Sequence, residues 1–215
     1  MKKVLMTLMI ASLLVLPLGS VALAEHAETV PSEVPVTLTP VGEFIPGDVP
    51  AQSNALDSIA PALHATVLAM LNQDAETFSA EDPLLAWESL YNMVSLYGQM
   101  DNRSEYLGDA LLLPSETVSD YAAALIPDFY ALGPTPEALA DRLVYDEASD
   151  SYLVTCGENG LSELVLNIAS SDSDTLCVNG CLVYLVDGSV LTQFYAELSV
   201  QDSMFGYTIS ALELI

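Results

Sequence analysis

The spacing of apolar positions changes once along the chain, near Arg142. Ahead of that point the apolar residues recur at helical intervals. Leu63, Val67, Met70 and Leu71 stand at i, i+4, i+7 and i+8, with Ser58 as the expected N-cap and Pro61 in the first turn, where a helix tolerates it. A second helix is expected after Asp82, which would cap it, with Pro83 at its first position. Leu84, Trp87, Tyr91 and Val94 make its apolar face and Gly98 its stop. A third is expected from Ser115 to Ile126, with Val118, Tyr121, Ala122 and Leu125 on one side and Pro127 ending it. Pro136 opens a further short turn.

Behind Arg142 the period falls to two. Strands are expected at 143–146, 152–156, 163–170, 175–186, 190–200 and 204–214. Glu147-Ala148-Ser149-Asp150, Asp187-Gly188 and Gln201-Asp202-Ser203 supply turns, and Asp-Gly between alternating runs is a strong hairpin signal. Phe194, Ala196 and Leu198 would face one way, Gln193, Tyr195 and Glu197 the other. The expected fold is α+β: three N-terminal helices packed on one face of a C-terminal six-stranded antiparallel meander sheet. Residues 53–215 are enough for one such domain.

The first 52 residues have a different character. Met1-Lys2-Lys3, the apolar run Val4–Leu18 and Ala22-Leu23-Ala24 have the three parts of a secretory signal, with cleavage expected near Ala24-Glu25. Pro17, Gly19 and Ser20 interrupt the run, which argues against a membrane anchor. Residues 25–52 hold five prolines (Pro31, Pro35, Pro40, Pro46 and Pro50) among Thr, Val and Glu, the composition of an extended acidic linker. Mean hydropathy is +0.42, and the leader contributes part of it.

Charge narrows the function further. The chain carries 30 acids against four bases, a net charge of -26. Lys2 and Lys3 lie in the leader, so the mature chain has Arg103 and Arg142 alone. Such a surface repels phosphate, which excludes nucleic acid as a partner. A mature chain without lysine cannot use a Walker-type lysine or form a Schiff base. No integral membrane segment is expected beyond the leader.

Trp87-Glu88-Ser89-Leu90-Tyr91, the string from Leu113 to Ala122, and Phe205-Gly206-Tyr207-Thr208-Ile209 resemble segments of uncharacterised secreted acidic proteins of Gram-positive anaerobes. The resemblance implies an extracytoplasmic address and no function. A helix-plus-curved-sheet layout is also similar to the NTF2-like cone, which would imply a pocket between sheet and helices. The order expected here differs, because that family usually places a helix within the run of strands.

Chemistry-bearing residues are few. Cys156, Cys177 and Cys181 allow one disulfide at most. A hairpin at Asn179-Gly180 would let Cys177 and Cys181 pair. A single strand would hold them on one face roughly 13 Å apart, too far to bond. The single strand is favoured, since breaking it leaves two very short ones. His26 lies in the linker, and His64 is expected at the boundary of the first helix with its ring edge wet. No G-x-S-x-G, H-E-x-x-H or G-x-G-x-x-G occurs, and Cys177-x-x-x-Cys181 lacks a second ligand pair for zinc. Glu88 and Asp120 are candidate paired carboxylates for glycoside cleavage, or else the solvated backs of two helices.

Asp172-Ser173-Asp174, and Asp146-Glu147 with Asp150, offer oxygen ligands for calcium without the EF-hand frame. Asn102-Arg103-Ser104 matches the N-glycosylation acceptor. Tyr145, Tyr152, Tyr184, Tyr195 and Tyr207 all fall in expected strands, where they form either a recognition face or cross-strand pairs that stabilise the sheet.

No residue is therefore assigned a catalytic, cofactor-binding or metal-binding role. The sequence favours a secreted, non-enzymatic binding domain whose partner is a neutral or cationic protein or glycan. The alternative is a small NTF2-like ligand-pocket protein or enzyme using His64, a cysteine or an acid pair in a helix–sheet crevice.

Overall fold

The computed structural model describes residues 50–156 and 161–215 of the chain, with side chains from Leu56 onward. The expected leader and nearly all of the expected linker lie outside the described residues. The first helix, α1 (Pro50–Asn72), has no charged residue between Asp57 and Asp74. A helix apolar on every side has to be covered on every side, and every residue from Ala62 to Val67 is buried. The second, α2 (Pro83–Tyr97), is buried without a break from Leu85 to Ser95. Asp82 caps it as expected, its Oδ1 accepting from the backbone N–H groups of Leu84 and Leu85 at 3.0 and 3.2 Å.

Three corrections concern these helices. Ser58 is no N-cap: it lies within α1, and its hydroxyl donates to the carbonyl of Phe205 at 2.9 Å. Pro61 is interior to α1, where it has no N–H to offer the carbonyl of Asp57. Gly98 does not stop α2 in a left-handed turn, since its backbone is right-handed and the chain runs on into a 3₁₀ turn, Gly98–Met100.

The expected six-stranded sheet does not form. There are two four-stranded antiparallel sheets. The first contains β1 (Glu105–Leu107), β2 (Ala110–Pro114), β3 (Leu143–Asp146) and β4 (Ser151–Thr155) in the order β1-β2-β4-β3. The second is a meander of β5 (Ser162–Ser171), β6 (Thr175–Tyr184), β7 (Val190–Val200) and β8 (Tyr207–Leu214). The split has a simple cause. β4 pairs with β3 on one edge and with β2 on the other, Leu111 opposite Val154 and Leu113 opposite Tyr152, so no edge is left for β5. The β1–β2 hairpin is the element that the periodicity did not reveal.

The third helix, α3 (Ser115–Ala122), follows β2 directly and ends four residues before the expected Ile126. The chain there leaves helical geometry and lends the carbonyl of Ala124 to the N–H of Ile209 in β8 at 2.9 Å. Leu125 and Ile126 stay buried all the same.

The helices do not lie on one face of a sheet. α1 packs on β5 and β8, α2 packs on β4 and α3, and α1 and α2 pack on each other. Two sheets thus enclose a helical middle, which is why neither central helix has a solvated face. No helix among the described residues is long and apolar enough to cross a membrane.

The second sheet alternates as expected, with Phe194, Ala196 and Leu198 almost wholly buried. Asp187-Gly188 turns the chain between β6 and β7, with Gly188 at a φ of 75°. On the inner face Gly180 is opposite Phe194, whose ring covers it: a Cβ at position 180 would lie 2.3 Å from the ring's Cζ. Phe194 is 1% exposed and cannot swing away. Gly180→Ala is therefore expected to destabilise the domain by about 1–3 kcal/mol through overpacking. An unchanged urea midpoint would contradict this packing.

Candidate functional site

Three constellations gather the candidate residues Glu88, Trp87 with Tyr145 and Tyr152, and His64 with Cys156. The first is built on one face of α2. Glu88 and Tyr91 stand three residues apart and so point the same way. Arg142, just ahead of β3, reaches both. Its Nη2 and Nη1 donate to the two carboxylate oxygens of Glu88 at 3.0 and 3.4 Å. The guanidinium carbon lies 4.6 Å from the centre of the Tyr91 ring. The Tyr91 hydroxyl donates to the carbonyl of Thr155 at 2.8 Å, and the Thr155 N–H donates to the carbonyl of Arg142 at 2.9 Å.

This is a correction for Glu88, which is no solvated back of a helix: its side chain is 4% exposed. Asp120 is exposed as expected and pairs with Arg103 at 2.6 Å. The two acids are engaged by different arginines, so they do not form a glycosidase pair. Arg142→Met would leave Glu88 buried without a counter-ion. The expected loss at pH 7 is about 2–3 kcal/mol, below that of a fully buried pair because Arg142 is 40% exposed. The double variant Glu88→Gln, Arg142→Met buries no charge and should recover part of that loss in urea unfolding. A double variant no more stable than Arg142→Met would show that the uncompensated charge is not its cause.

The second constellation is an aromatic cleft of about 370 Å³. Trp87 comes from the first turns of α2. A 3₁₀ turn, Phe129–Leu132, adds Phe129 and Tyr130, held by Asp128, whose Oδ1 accepts from the Tyr130 N–H at 3.1 Å. Tyr145 and Tyr152 face each other directly across β3 and β4 with ring centres 5.0 Å apart. Phe129 lies 5.6 Å from Trp87, 5.7 Å from Tyr130 and 6.4 Å from Tyr152, so the five rings form one continuous lining. Trp87 is buried, whereas Tyr130 is 85% exposed and Tyr145 44%.

The Trp87 indole Nε1 is buried with no hydrogen-bond partner among the described residues. At the rim, Asp150 accepts from the Tyr145 hydroxyl at 2.8 Å. Hydrogen bonds from Ser115 and Tyr145 hold its carboxyl below the usual range, so it is charged at neutral pH. Burial pushes the Tyr152 phenol up to about 12.

The third is a cavity of about 410 Å³ between α1, α2 and the start of β5. His64 is buried there, not wet-edged as expected. Its Nδ1 is 2.6 Å from the Tyr97 hydroxyl and its Nε2 is 2.9 Å from the Ser162 hydroxyl. Cys156 lines the same cavity. Burial lowers the His64 pKa and raises that of the Cys156 thiol, the reverse of the thiolate–imidazolium pairing that activates a cysteine. No carboxylate lines this cavity among the described residues.

Because the folded-state pKa of His64 lies below its ordinary 6.5, neutral His64 contributes stability that is whole above pH 6.5 and lost as pH falls through the lowered value. Between pH 7.5 and 5.5 wild type should lose more of its urea midpoint than His64→Gln. Parallel losses would refute the assignment.

The other candidates have structural partners. Cys177 and Cys181 stand on the single strand β6, both free, as is Cys156. Asp172 accepts from the N–H groups of Asp174 and Thr175, and Asp146 from Ala148 N–H and the Ser149 hydroxyl. These carboxylates shape their own turns. Asn102 is exposed in a turn. The five strand tyrosines divide between the sheets, Tyr145 and Tyr152 on the first and Tyr184, Tyr195 and Tyr207 on the second, so they make no single face. Phe129 and Tyr130 were not legible as site residues; the available signal was an aromatic pair between the cap Asp128 and Gly133.

No protein-family model matches the chain, and neither do any curated protein or solved structure at a significant level.

Proposed function

We propose that the chain is a secreted, non-enzymatic binding domain whose recognition site is the aromatic cleft between α2, the Phe129–Leu132 turn and the β3–β4 hairpin. One observation carries the reading: a continuous lining of five aromatic rings includes two well-exposed tyrosines and a buried, unpartnered indole donor. Core packing accounts for Trp87 and Tyr152, but it gives Tyr130 no reason to be held in solvent by a capped turn. Clefts of this size and character, with a few placed polar groups, are where ligands bind. The leader pattern of residues 1–24 supports the extracytoplasmic address. The excess of acids favours a neutral or cationic protein or glycan as partner.

A second reading, a small pocket protein or enzyme of cone-like shape, draws on two observations. α3 stands between β2 and β3, so a helix does interrupt the run of strands. The His64 cavity also brings Ser162 and Cys156 to one imidazole. Against it, burial disfavours both the imidazolium and the thiolate.

Trp87 is the sole tryptophan, so its fluorescence reports occupancy of the cleft directly. The mature protein would be screened against glycan and peptide panels and each ligand re-measured with Tyr130→Ala. Loss of one exposed ring should weaken binding about three- to tenfold. Ligands held equally well by Tyr130→Ala and Tyr145→Ala, or a panel with no ligand at all, would overturn the cleft as the recognition site.

A further inference from the structure

We infer that the aromatic cleft is a cage for a trimethylammonium cation carried on a small soluble molecule of the choline type. The inference rests on the reading of the cleft as the recognition site and adds the chemistry of its ligand. Ring geometry is the first argument. Trp87 and Phe129 meet at 66°, Phe129 and Tyr152 at 65°, Phe129 and Tyr130 at 60°, and Tyr145 and Tyr152 at 44°. Rings at such angles make walls. A sugar stacks on a ring surface laid out flat, whereas a cation clothed in methyl groups is roughly spherical and contacts several steeply inclined faces at once. A ring face carries the negative side of its quadrupole, and Tyr130 and Tyr145 are the rings of the cleft best exposed to a ligand.

Charge is the second. Asp150 places a carboxylate at the rim, and Tyr145 donates to it at 2.8 Å. That donation shifts electron density into the phenol ring and makes its face a better host for a cation. Among the described residues no cationic side chain lines the cleft. Arg142 is committed to Glu88 and the Tyr91 ring. An anionic ligand would thus meet a carboxylate and no counter-charge.

Methylation matters to the third argument. A bare ammonium is heavily hydrated and would have to exchange water for ring faces that offer no hydrogen-bond acceptors. A trimethylammonium group has no N–H to satisfy and sheds its water at lower cost, which suits an aromatic lining with a single carboxylate.

The mature protein would be titrated with choline and with 3,3-dimethylbutan-1-ol, the neutral molecule of the same shape, at low and moderate salt, with Trp87 fluorescence as readout. Choline should bind at least tenfold more tightly than its neutral analogue and weaken as salt rises. Asp150→Asn keeps a residue type that tolerates the φ of 49° at this position; it should lose most of that preference while retaining the neutral analogue. Tyr130→Ala should weaken choline severalfold. Equal affinity for the two compounds would overturn the cation assignment and leave the cleft standing as a binding site. Failure of both compounds, with a ligand from the wider panels still sensitive to Tyr130→Ala, would do the same. Binding confined to phosphatidylcholine vesicles, with free choline neither binding nor competing, would overturn the small soluble source.

Discussion

A helix with no polar side cannot rest against a single surface, and that constraint organises the domain. α1 has no charged residue from Ser58 to Gln73, and its middle is buried all round. Covering one flank with α2 leaves the other exposed, and the β5–β8 meander closes it. α2, itself buried from Leu85 to Ser95, then needs a cover of its own on the side away from α1. The β1–β4 sheet with α3 supplies that cover. The two sheets are two answers to the same demand, one for each helix, and apolar burial is what links them.

Charge is the second constraint, because the supply of cations is so small. Both arginines of the chain are bound to acids, Arg142 to Glu88 and Arg103 to Asp101 and Asp120. The Arg103–Asp120 and Arg142–Glu88 pairs differ in kind. Arg103 and Asp120 are both exposed, so their attraction is largely screened. Glu88 is buried, so its pair fixes where the chain just before β3 must lie against α2. Among the described residues no other acid is held in an ion pair. This accounts for the many carboxylates that cap their own turns, such as Asp146, Asp172 and Asp187.

The elements were more legible than their assembly. Alternation in β5–β8 and the Asp82-Pro83 cap are local, and local chemistry decides them. β2 escaped because Ala110-Leu111-Leu112-Leu113 is apolar at every position. Its burial does alternate, with Leu111 and Leu113 inside, but an all-apolar string hides that period. With β2 unseen, β4 appeared to have a free edge and the meander to run on. Glu88 was misplaced for a related reason. Its burial depends on Arg142, which is fifty-four residues away, and no helical pattern carries that information. The aromatic cleft was half visible: Tyr145 and Tyr152 could be assigned to strands, and Trp87 to α2. What brought Phe129 and Tyr130 beside them was a capped turn that has no periodicity at all.

The ion pair and the cleft are coupled through adjacent residues. Trp87 and Glu88 are neighbours on α2, so they leave the helix in directions roughly 100° apart. Once Glu88 is held by Arg142, the rotation of α2 relative to the start of β3 is set, and with it the direction of the indole. β3 carries Tyr145 and pairs with Tyr152 on β4, so the same anchor fixes the opposite wall. The third wall, Phe129 and Tyr130, is set by the Asp128 cap and by the packing of Phe129 on Trp87 and Tyr152. Two walls of the cleft are therefore rigidly related through a buried charge pair, and the third hangs on a surface turn. A site built this way has a preformed floor and one adjustable side, the arrangement by which a cleft can admit a ligand and still hold its shape once the ligand is inside.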